Sequence, residues 1–201
     1  MVSYKIEIEG FIDPKSFVEK WSGLYSYGQE KKYKENISKV FFNEQRYFNA
    51  IFQWKNGTGD NISRAKQTKV DSYYVSINIL QKLKEKFDWE TFENEFKPSS
   101  GSNIWTIFLL HLVDPSNFPI YDQHVYRFYH FHTKGVIDEI PTNAEKRYKF
   151  YKEIYQPWFN EIKENYNLDP KKMDEAFFTY GQQLKKLIGK GIKITRFNNT
   201  K

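Results

Sequence analysis

The stretch KPSSGSNIWTIFLLHLVDPSNFPIYDQHVYRF runs from Lys97 to Phe128 and determines how the whole chain is interpreted. Its first part, Lys97 to Asn103, combines Pro, Gly and small hydroxyl residues, which predicts a tight turn. The next part, Ile104 to Val113, is apolar on nearly every side and predicts a buried central helix. The sequence DPSNFP then breaks this helix. A second helix is expected to begin near Asp122 and to continue to about Phe131.

Outside this stretch, the spacing of apolar residues predicts further helices and an all-α or nearly all-α fold. Residues 2–9 alternate between charged and apolar side chains, as in a short N-terminal strand or an irregular arm. The segment Lys55 to Asn61 carries a strong turn signal. The further helices are expected from Pro14 to about Tyr25, from Asn36 to Trp54, from Ser63 to Phe87, from Asp88 to Phe96, from Ala144 to Tyr166, and from Asp169 to just before Gly189.

The composition indicates a soluble globular protein of one domain or of two small lobes that share a core. The chain has 201 residues, of which 39% are hydrophobic and 28% charged. Aromatic residues make up 19%, more than a small core needs, so some are expected to line a groove or pocket. The lack of cysteine excludes disulfides, thiol nucleophiles and Cys-based zinc sites. The N-terminus lacks the apolar segment of a signal peptide, and the longest apolar run is too short to span a bilayer. We therefore expect a cytoplasmic location and no membrane partner.

The charge distribution indicates a polyanionic partner or a solvated tail, and the sequence leaves these two interpretations open. The formal net charge is +6 and the isoelectric point is about 9.1. From Lys185 onward the chain contains no acid and six cations, which equal the whole excess. A basic segment of this kind is typical of nucleic-acid binding. The six cations are Lys185, Lys186, Lys190, Lys193, Arg196 and Lys201.

The order of turn, buried helix, break and YDQHVYRF resembles the helix-hairpin-helix DNA glycosylase superfamily. In that superfamily a Gly-rich hairpin precedes a buried helix, and an Asp, a His, a Val and an Arg follow. Here these residues are Asp122, His124, Val125 and Arg127. A weaker likeness is MDEAFFTYGQQL, from Met173 to Leu184, which is similar to the late helix of the same superfamily. The resemblance covers about residues 37–188 and is specific only from Gly101 to Arg127.

Two departures from the superfamily pattern affect the activity that the resemblance implies. The family hairpin usually has two glycines, whereas this chain has only Gly101 there. Bifunctional members carry a Schiff-base Lys early in the buried helix, where this chain has Asn103 and Ile104. No Lys lies between Lys97 and Lys134. The resemblance therefore implies a monofunctional enzyme that uses water in place of a lysine amine.

The resemblance implies site residues for cleaving an N-glycosidic bond in duplex DNA that contains an altered, flipped base. Asp122 would be the catalytic carboxylate, which stabilises the positive charge on the sugar and activates water. A flipped base needs an aromatic pocket with polar groups that read its edge. The base-pocket candidates are Trp54, Lys55, Trp105, Tyr121 and Gln123, and the DNA-binding candidates are Ser99, Ser100, Gly101, Ser102, Asn103 and Arg127.

The resemblance also implies two lobes that share a cleft, in a monomer without a cofactor. Residues 37–133 would form the lobe with the hairpin and Asp122. Residues 1–36 and 134–201 would form the other lobe, with 189–201 as a basic tail. The released base stays open, and so does the choice between DNA repair by base excision and defence against phage DNA with bulky modified bases.

Structural interpretations of the same residues stay open beside the functional ones. Asp is a favoured N-cap, so Asp122 can serve as a helix cap and as a catalytic carboxylate at once. His111, His124, His130 and His132 match no common zinc spacing, and no metal is expected. The alternative function is a non-catalytic DNA-binding or sensor protein on the same scaffold, and a helical interaction module is a third interpretation. Release of a base from DNA separates the first two, and lack of DNA affinity identifies the third.

Overall fold

The computed structural model describes residues 5–9, 13–42, 44–57, 61–101, 103–189 and 193–197, with the backbone alone for 5–9 and 193–197. Within these ranges the structure is helical apart from one pair of short strands, which confirms the expected all-α class. The strands are β1 (Lys5–Glu9) and β2 (Lys193–Phe197). The helices are α1 (Pro14–Gly23), α2 (Glu30–Asn36), α3 (Gln45–Asn56), α4 (Arg64–Val75), α5 (Ile77–Glu85), α6 (Trp89–Phe96), α7 (Ile104–Val113), α8 (Gln123–Lys134), α9 (Ala144–Phe150), α10 (Gln156–Tyr166) and α11 (Pro170–Gly189).

The chain divides by its internal contacts into two compact units. The central unit is Ser26–Asp114, and the terminal unit joins Met1–Tyr25 to Pro115–Lys201. These bounds differ from the lobes expected from the sequence, because α8 and Asp122 group with the chain termini and not with the turn before α7. Across the described ranges, none of the helices has the length and apolarity needed to cross a bilayer.

The central unit is built around α7. From Thr106 to Val113 every side chain of this helix is buried, as its unbroken apolar sequence predicts. Its two polar side chains in that segment have partners: Thr106 Oγ1 lies 2.6 Å from the Tyr73 hydroxyl, and His111 Nε2 lies 2.8 Å from the Tyr33 hydroxyl. Burial raises the pKa of Tyr73 to about 12. The buried polar groups thus agree with the rule that such groups are hydrogen-bonded.

Two helices expected in the central unit are wrong in their bounds. The helix expected from Asn36 to Trp54 begins only at Gln45, because Glu44 is extended and a 3₁₀ turn, Ile37–Lys39, precedes it. The helix expected from Ser63 to Phe87 is two helices, α4 and α5, which separate at Ser76. The Ser76 hydroxyl donates a hydrogen bond to Glu95 of α6 at this break.

Two other elements of the central unit confirm the sequence expectation. α6 begins after Asp88, whose carboxylate accepts a hydrogen bond from the Thr91 N–H at 2.7 Å. That is the N-cap expected of an Asp before a helix. α7 itself has the expected bounds, Ile104–Val113.

In the terminal unit, α11 packs against both α1 and α8. Its buried face consists of apolar and small residues at helical spacing together with Asp174, and Phe177 stacks on Phe128 of α8 with ring centroids 4.2 Å apart. α9 and α10 are joined without a break by a π-helical turn, Tyr151–Tyr155, so the long helix expected from Ala144 to Tyr166 is present with one irregular turn inside it. β1 and β2 pair in parallel, with Lys5 opposite Lys193.

The backbones of α8 and α11 approach each other closely at Gly181, in the middle of α11. A Cβ added there would overlap the carbonyl oxygen and carbon of His124, at the start of α8. The backbones of the two helices can meet only because residue 181 has no side chain. Glycine otherwise weakens a helix interior, so its presence here is explained by this contact.

We predict that Gly181→Ala lowers the free energy of unfolding by about 3 kcal/mol or more, because the rigid carbonyl of His124 cannot yield to the added methyl group. Gly23→Ala is the matched control, since a Cβ at that helix end meets nothing within 4 Å. It should leave stability unchanged or raise it by about 0.5 kcal/mol. Urea denaturation measures both. Equal stability of the two variants would contradict the packing of α8 on α11.

Candidate active site around Asp122

Asp122 is the N-cap of α8, and its backbone is extended, with φ −158° and ψ −174°. One carboxylate oxygen, Oδ1, accepts hydrogen bonds from the backbone N–H groups of His124 at 2.7 Å and Val125 at 3.2 Å. The local sequence dictates this arrangement, because a short acidic side chain before a helix satisfies two otherwise unpaired amides. The cap thereby fixes the orientation of the carboxylate.

The second oxygen, Oδ2, accepts no hydrogen bond from any described residue. Asp122 is partly exposed, and Oδ2 is the oxygen that its cap leaves for water or a ligand. A carboxylate held rigidly through one oxygen and open through the other can stabilise a nearby positive charge or accept a proton from water. This division of work between its two oxygens makes the cap and the catalytic interpretation compatible in one residue.

The loop that leads into Asp122 is held by buried polar contacts from helices of the same unit. The backbone N–H of Ile120 lies 3.2 and 3.3 Å from the two carboxylate oxygens of Asp174, which is buried in α11. The Tyr151 hydroxyl donates a hydrogen bond to the Pro119 carbonyl at 3.2 Å. The two residues just ahead of Tyr121 therefore have fixed backbone positions.

The start of the same loop is bound by α10. The side-chain amides of Gln156 and Asn160 both donate to the Asn117 carbonyl, at 3.1 and 3.0 Å. Lys163 adds hydrogen bonds to the Ser116 carbonyl at 2.9 Å and to Asn117 Oδ1 at 2.8 Å. These contacts stabilise an irregular segment that has no secondary structure to satisfy its own backbone groups.

Tyr121 was expected to line a base pocket, but it is only 1% exposed. Its ring lies 5.5 Å from that of Tyr151 and 5.9 Å from that of Tyr155, in a cluster of buried tyrosines. Burial raises the pKa of all three phenols. Tyr121 therefore packs beneath the Asp122 backbone and does not present a face for stacking.

Arg127 was expected to contact DNA, but its guanidinium is buried and is paired with Glu139. Its side chain is 2% exposed, and it donates to Glu139 through Nε at 2.8 Å and through a terminal nitrogen at 2.7 Å. The same terminal nitrogen donates to Gln123 Oε1 at 3.1 Å. The hydrogen bonds from Arg127 lower the pKa of Glu139. This bidentate pair ties α8 to the segment before α9, and Gln123 is the exposed residue that it places beside Asp122.

The other expected pocket residues lie in the central unit. Trp54 is 5% exposed and packs against Tyr33, with ring centroids 4.7 Å apart, so it belongs to the core and not to an open pocket. Lys55 places its ammonium group 5.3 Å from the ring centroid of Phe108. Trp105 is half-buried and lines a cleft. Of the five expected pocket residues, only Tyr121 and Gln123 share the unit that holds Asp122.

The turn before α7 is exposed at three of the residues expected to bind DNA. Ser99, Ser100 and Gly101 are exposed, and Gly101 adopts φ +59°, a left-handed conformation that glycine accommodates readily. Asn103 is buried, and its side chain donates to the Pro98 carbonyl at 2.6 Å, so it closes the turn and does not reach outward. Ser102 lies outside the described residues.

The described histidines have protein partners, and no group of three or more potential metal ligands occurs among the described residues. His124 Nδ1 lies 3.3 Å from Arg127, and His130 Nδ1 lies 3.7 Å from Asp138. Burial lowers the pKa of His124, against the attraction of Asp122, and burial likewise lowers the pKa of His130. Both imidazoles are therefore disposed to stay neutral in the folded protein.

No protein-family model, curated protein or solved structure matches the chain.

The sequence did not identify Glu139, Asp174 or Tyr151 as parts of this region. For Asp174 a signal was present, because an acid at position 174 falls on the helical face of Phe177 and Gly181, which is buried. Glu139 lies in an irregular segment, where no periodicity relates it to Arg127. The role of Tyr151 depends on the π-helical turn, which has no sequence signature.

We predict that Glu139→Ala lowers the free energy of unfolding by about 2 kcal/mol, because the buried guanidinium of Arg127 loses its counter-charge. Glu145→Ala, which removes an exposed acid from the first turn of α9, should change stability by less than about 0.5 kcal/mol. Chemical denaturation compares the two variants. If Glu139→Ala behaves like its control, Arg127 is not held by this pair and is available for a ligand.

A second prediction concerns the loss of stability at acid pH. The pKa values of His124 and His130 are lowered from 6.5 in the folded state, so the unfolded chain takes up their protons first as the pH falls. The stability that the two neutral histidines contribute is fully present above about pH 6.5 and is lost as the pH falls below that value. Thermal unfolding at pH values of about 7.5 and 5.5 should show a lower midpoint in acid, and His124→Gln/His130→Gln should reduce this difference. An unchanged difference in the double variant would refute the assignment.

Proposed function

We propose that the chain is a monofunctional DNA glycosylase that hydrolyses the N-glycosidic bond of an altered base, with Asp122 as its carboxylate. The observation that carries the proposal is the geometry of Asp122 within DQHVYR: Oδ1 is fixed by two amides of α8, and Oδ2 has no hydrogen-bond partner among the described residues. Oδ2 is the oxygen left for the reaction, and the two hydrogen bonds to Oδ1 keep the carboxylate in place.

The reaction requires little beyond this carboxylate. As the base leaves, positive charge develops on the sugar, and Oδ2 stabilises it electrostatically. The same oxygen accepts a proton from the water that attacks the sugar carbon, and the departing base takes the bonding electron pair. Asn103 and Ile104 occupy the start of α7, so no lysine amine there forms a covalent intermediate. The products are a free base and an abasic site in an unbroken strand.

The turn before α7 supports the DNA partner. Its exposed residues Ser99, Ser100 and Gly101 lie directly ahead of a helix N-terminus, where backbone N–H groups favour a phosphate. Such contacts position a duplex without reading its sequence. Arg127 supports the site indirectly, since it holds Gln123 next to Asp122.

The test is release of free base from DNA. The substrates are duplexes that carry alkylated, oxidised, deaminated or bulky modified bases, and mass spectrometry detects the released base. Asp122→Asn should lower release by at least about 100-fold, because the amide keeps an acceptor for the cap but carries no charge. The strand should stay intact until alkali is added.

Asp88→Asn is the matched control, because it makes the same change at another N-cap, in the central unit. It should retain full activity. Equal rates for Asp122→Asn and wild type would remove Asp122 from the mechanism, and strand cleavage without alkali would contradict the hydrolytic route.

The alternative is a DNA-binding or sensor protein without catalysis, and the single glycine in the hairpin is the observation that favours it. This function predicts salt-dependent affinity for DNA in both wild type and Asp122→Asn, and no base release from either.

A further inference from the structure

The central unit contains a cleft beside Trp105. Its volume is about 450 Å³, and among the described residues it is lined by Ala65, Lys66, Lys69, Ile104 and Trp105. It lies between the first two turns of α4 and the start of α7. A cleft of this size is in the range of small-ligand sites.

Two exposed ammonium groups, those of Lys66 and Lys69, line this cleft. Lys66 Nζ donates to Asn56 Oδ1 at 2.6 Å, and Lys69 Nζ lies 4.9 Å from the ring centroid of Tyr73. Within the described part of the chain, neither lysine forms an ion pair with a carboxylate. Two cations that line one cleft, with no carboxylate partner among the described residues, favour an anionic ligand such as a phosphate.

Trp105 supplies the second half of the cleft. Its indole is half-buried, supported on one side by Phe52 with ring centroids 5.4 Å apart. The Lys66 ammonium lies over the Trp105 ring, with Nζ 5.4 Å from the ring centroid, so a phosphate that draws this cation away uncovers the indole face. An indole in a cleft wall favours a planar ligand, and each nucleobase offers a planar face for stacking.

We propose that this cleft binds a nucleotide, with its phosphate between Lys66 and Lys69 and its base against Trp105. The combination decides the ligand class: a simple anion does not use the indole, and an apolar ligand does not use two lysines. A nucleotide that is not base-paired meets both requirements. The proposal adds a second contact for nucleic acid, and it holds whether or not Asp122 catalyses base release.

The experiment follows tryptophan fluorescence of the full chain during titration with oligothymidylate of about ten nucleotides. Saturable quenching is expected. Lys66→Ala/Lys69→Ala should weaken binding at least about 10-fold, because two phosphate contacts are lost. Lys82→Ala/Lys84→Ala is the matched control, since it removes two exposed lysines of α5 and the same charge. It should weaken binding less than about threefold.

Trp105→Phe should abolish most of the quenching, and Trp89→Phe should not. Equal losses in the two lysine pairs, quenching that persists in Trp105→Phe, or no binding at all would each overturn the proposal. Thymidine monophosphate is titrated in parallel: quenching by both ligands identifies a site for free nucleotides, and quenching by the oligomer alone identifies one for a strand.

Asp122→Asn separates this proposal from the glycosylase activity. It should bind the oligomer as wild type does. Quenching without base release from any substrate would reject the glycosylase proposal and support nucleotide binding in the cleft. Base release without quenching would support the glycosylase and reject nucleotide binding in the cleft.

Discussion

The contact between Gly181 and the carbonyl of His124 is the constraint on which the terminal unit depends. It brings the backbones of α11 and α8 closer than any side chain allows, at the first turn of α8. Because Asp122 caps that same turn, the position of its carboxylate follows from how closely the two helices pack. A helix that begins at a fixed point gives its cap a fixed direction. Packing in the core and geometry at the surface are therefore linked through one residue without a side chain.

The same unit fixes the chain ahead of Asp122 with polar groups taken from its interior. Asp174 accepts the N–H of Ile120, and Tyr151 donates to the carbonyl of Pro119. Buried groups of this kind are costly unless their hydrogen bonds are satisfied, so they hold one arrangement of the loop and disfavour others. The loop is irregular in conformation, yet side chains of α10, α11 and the π-helical turn hydrogen-bond to its backbone at four residues.

Local patterns in the sequence were enough to predict the elements whose stability is local. α7 follows from an unbroken apolar run, and the caps Asp88 and Asp122 follow from acids placed before helices. The break at Ser76 could not be predicted, because no Gly or Pro marks it in the sequence. The burial of Arg127 depends on Glu139, twelve residues away in a segment without periodicity. The candidate carboxylate was therefore identifiable from the sequence, but the residues that support it were not.

The π-helical turn Tyr151–Tyr155, which joins α9 to α10, limits which deletions the continuous helix can accept. The N–H of Gln156 bonds to the carbonyl of Tyr151, five residues back, so one residue more than a regular helical turn is accommodated there. Each residue of a regular helix advances its face by about 100°. Loss of one residue from the turn would rotate the side chains of α10 about the helix axis. Gln156 and Asn160 would then point away from the carbonyl of Asn117. The register between this helix and the loop ahead of Asp122 is therefore set by a single inserted residue.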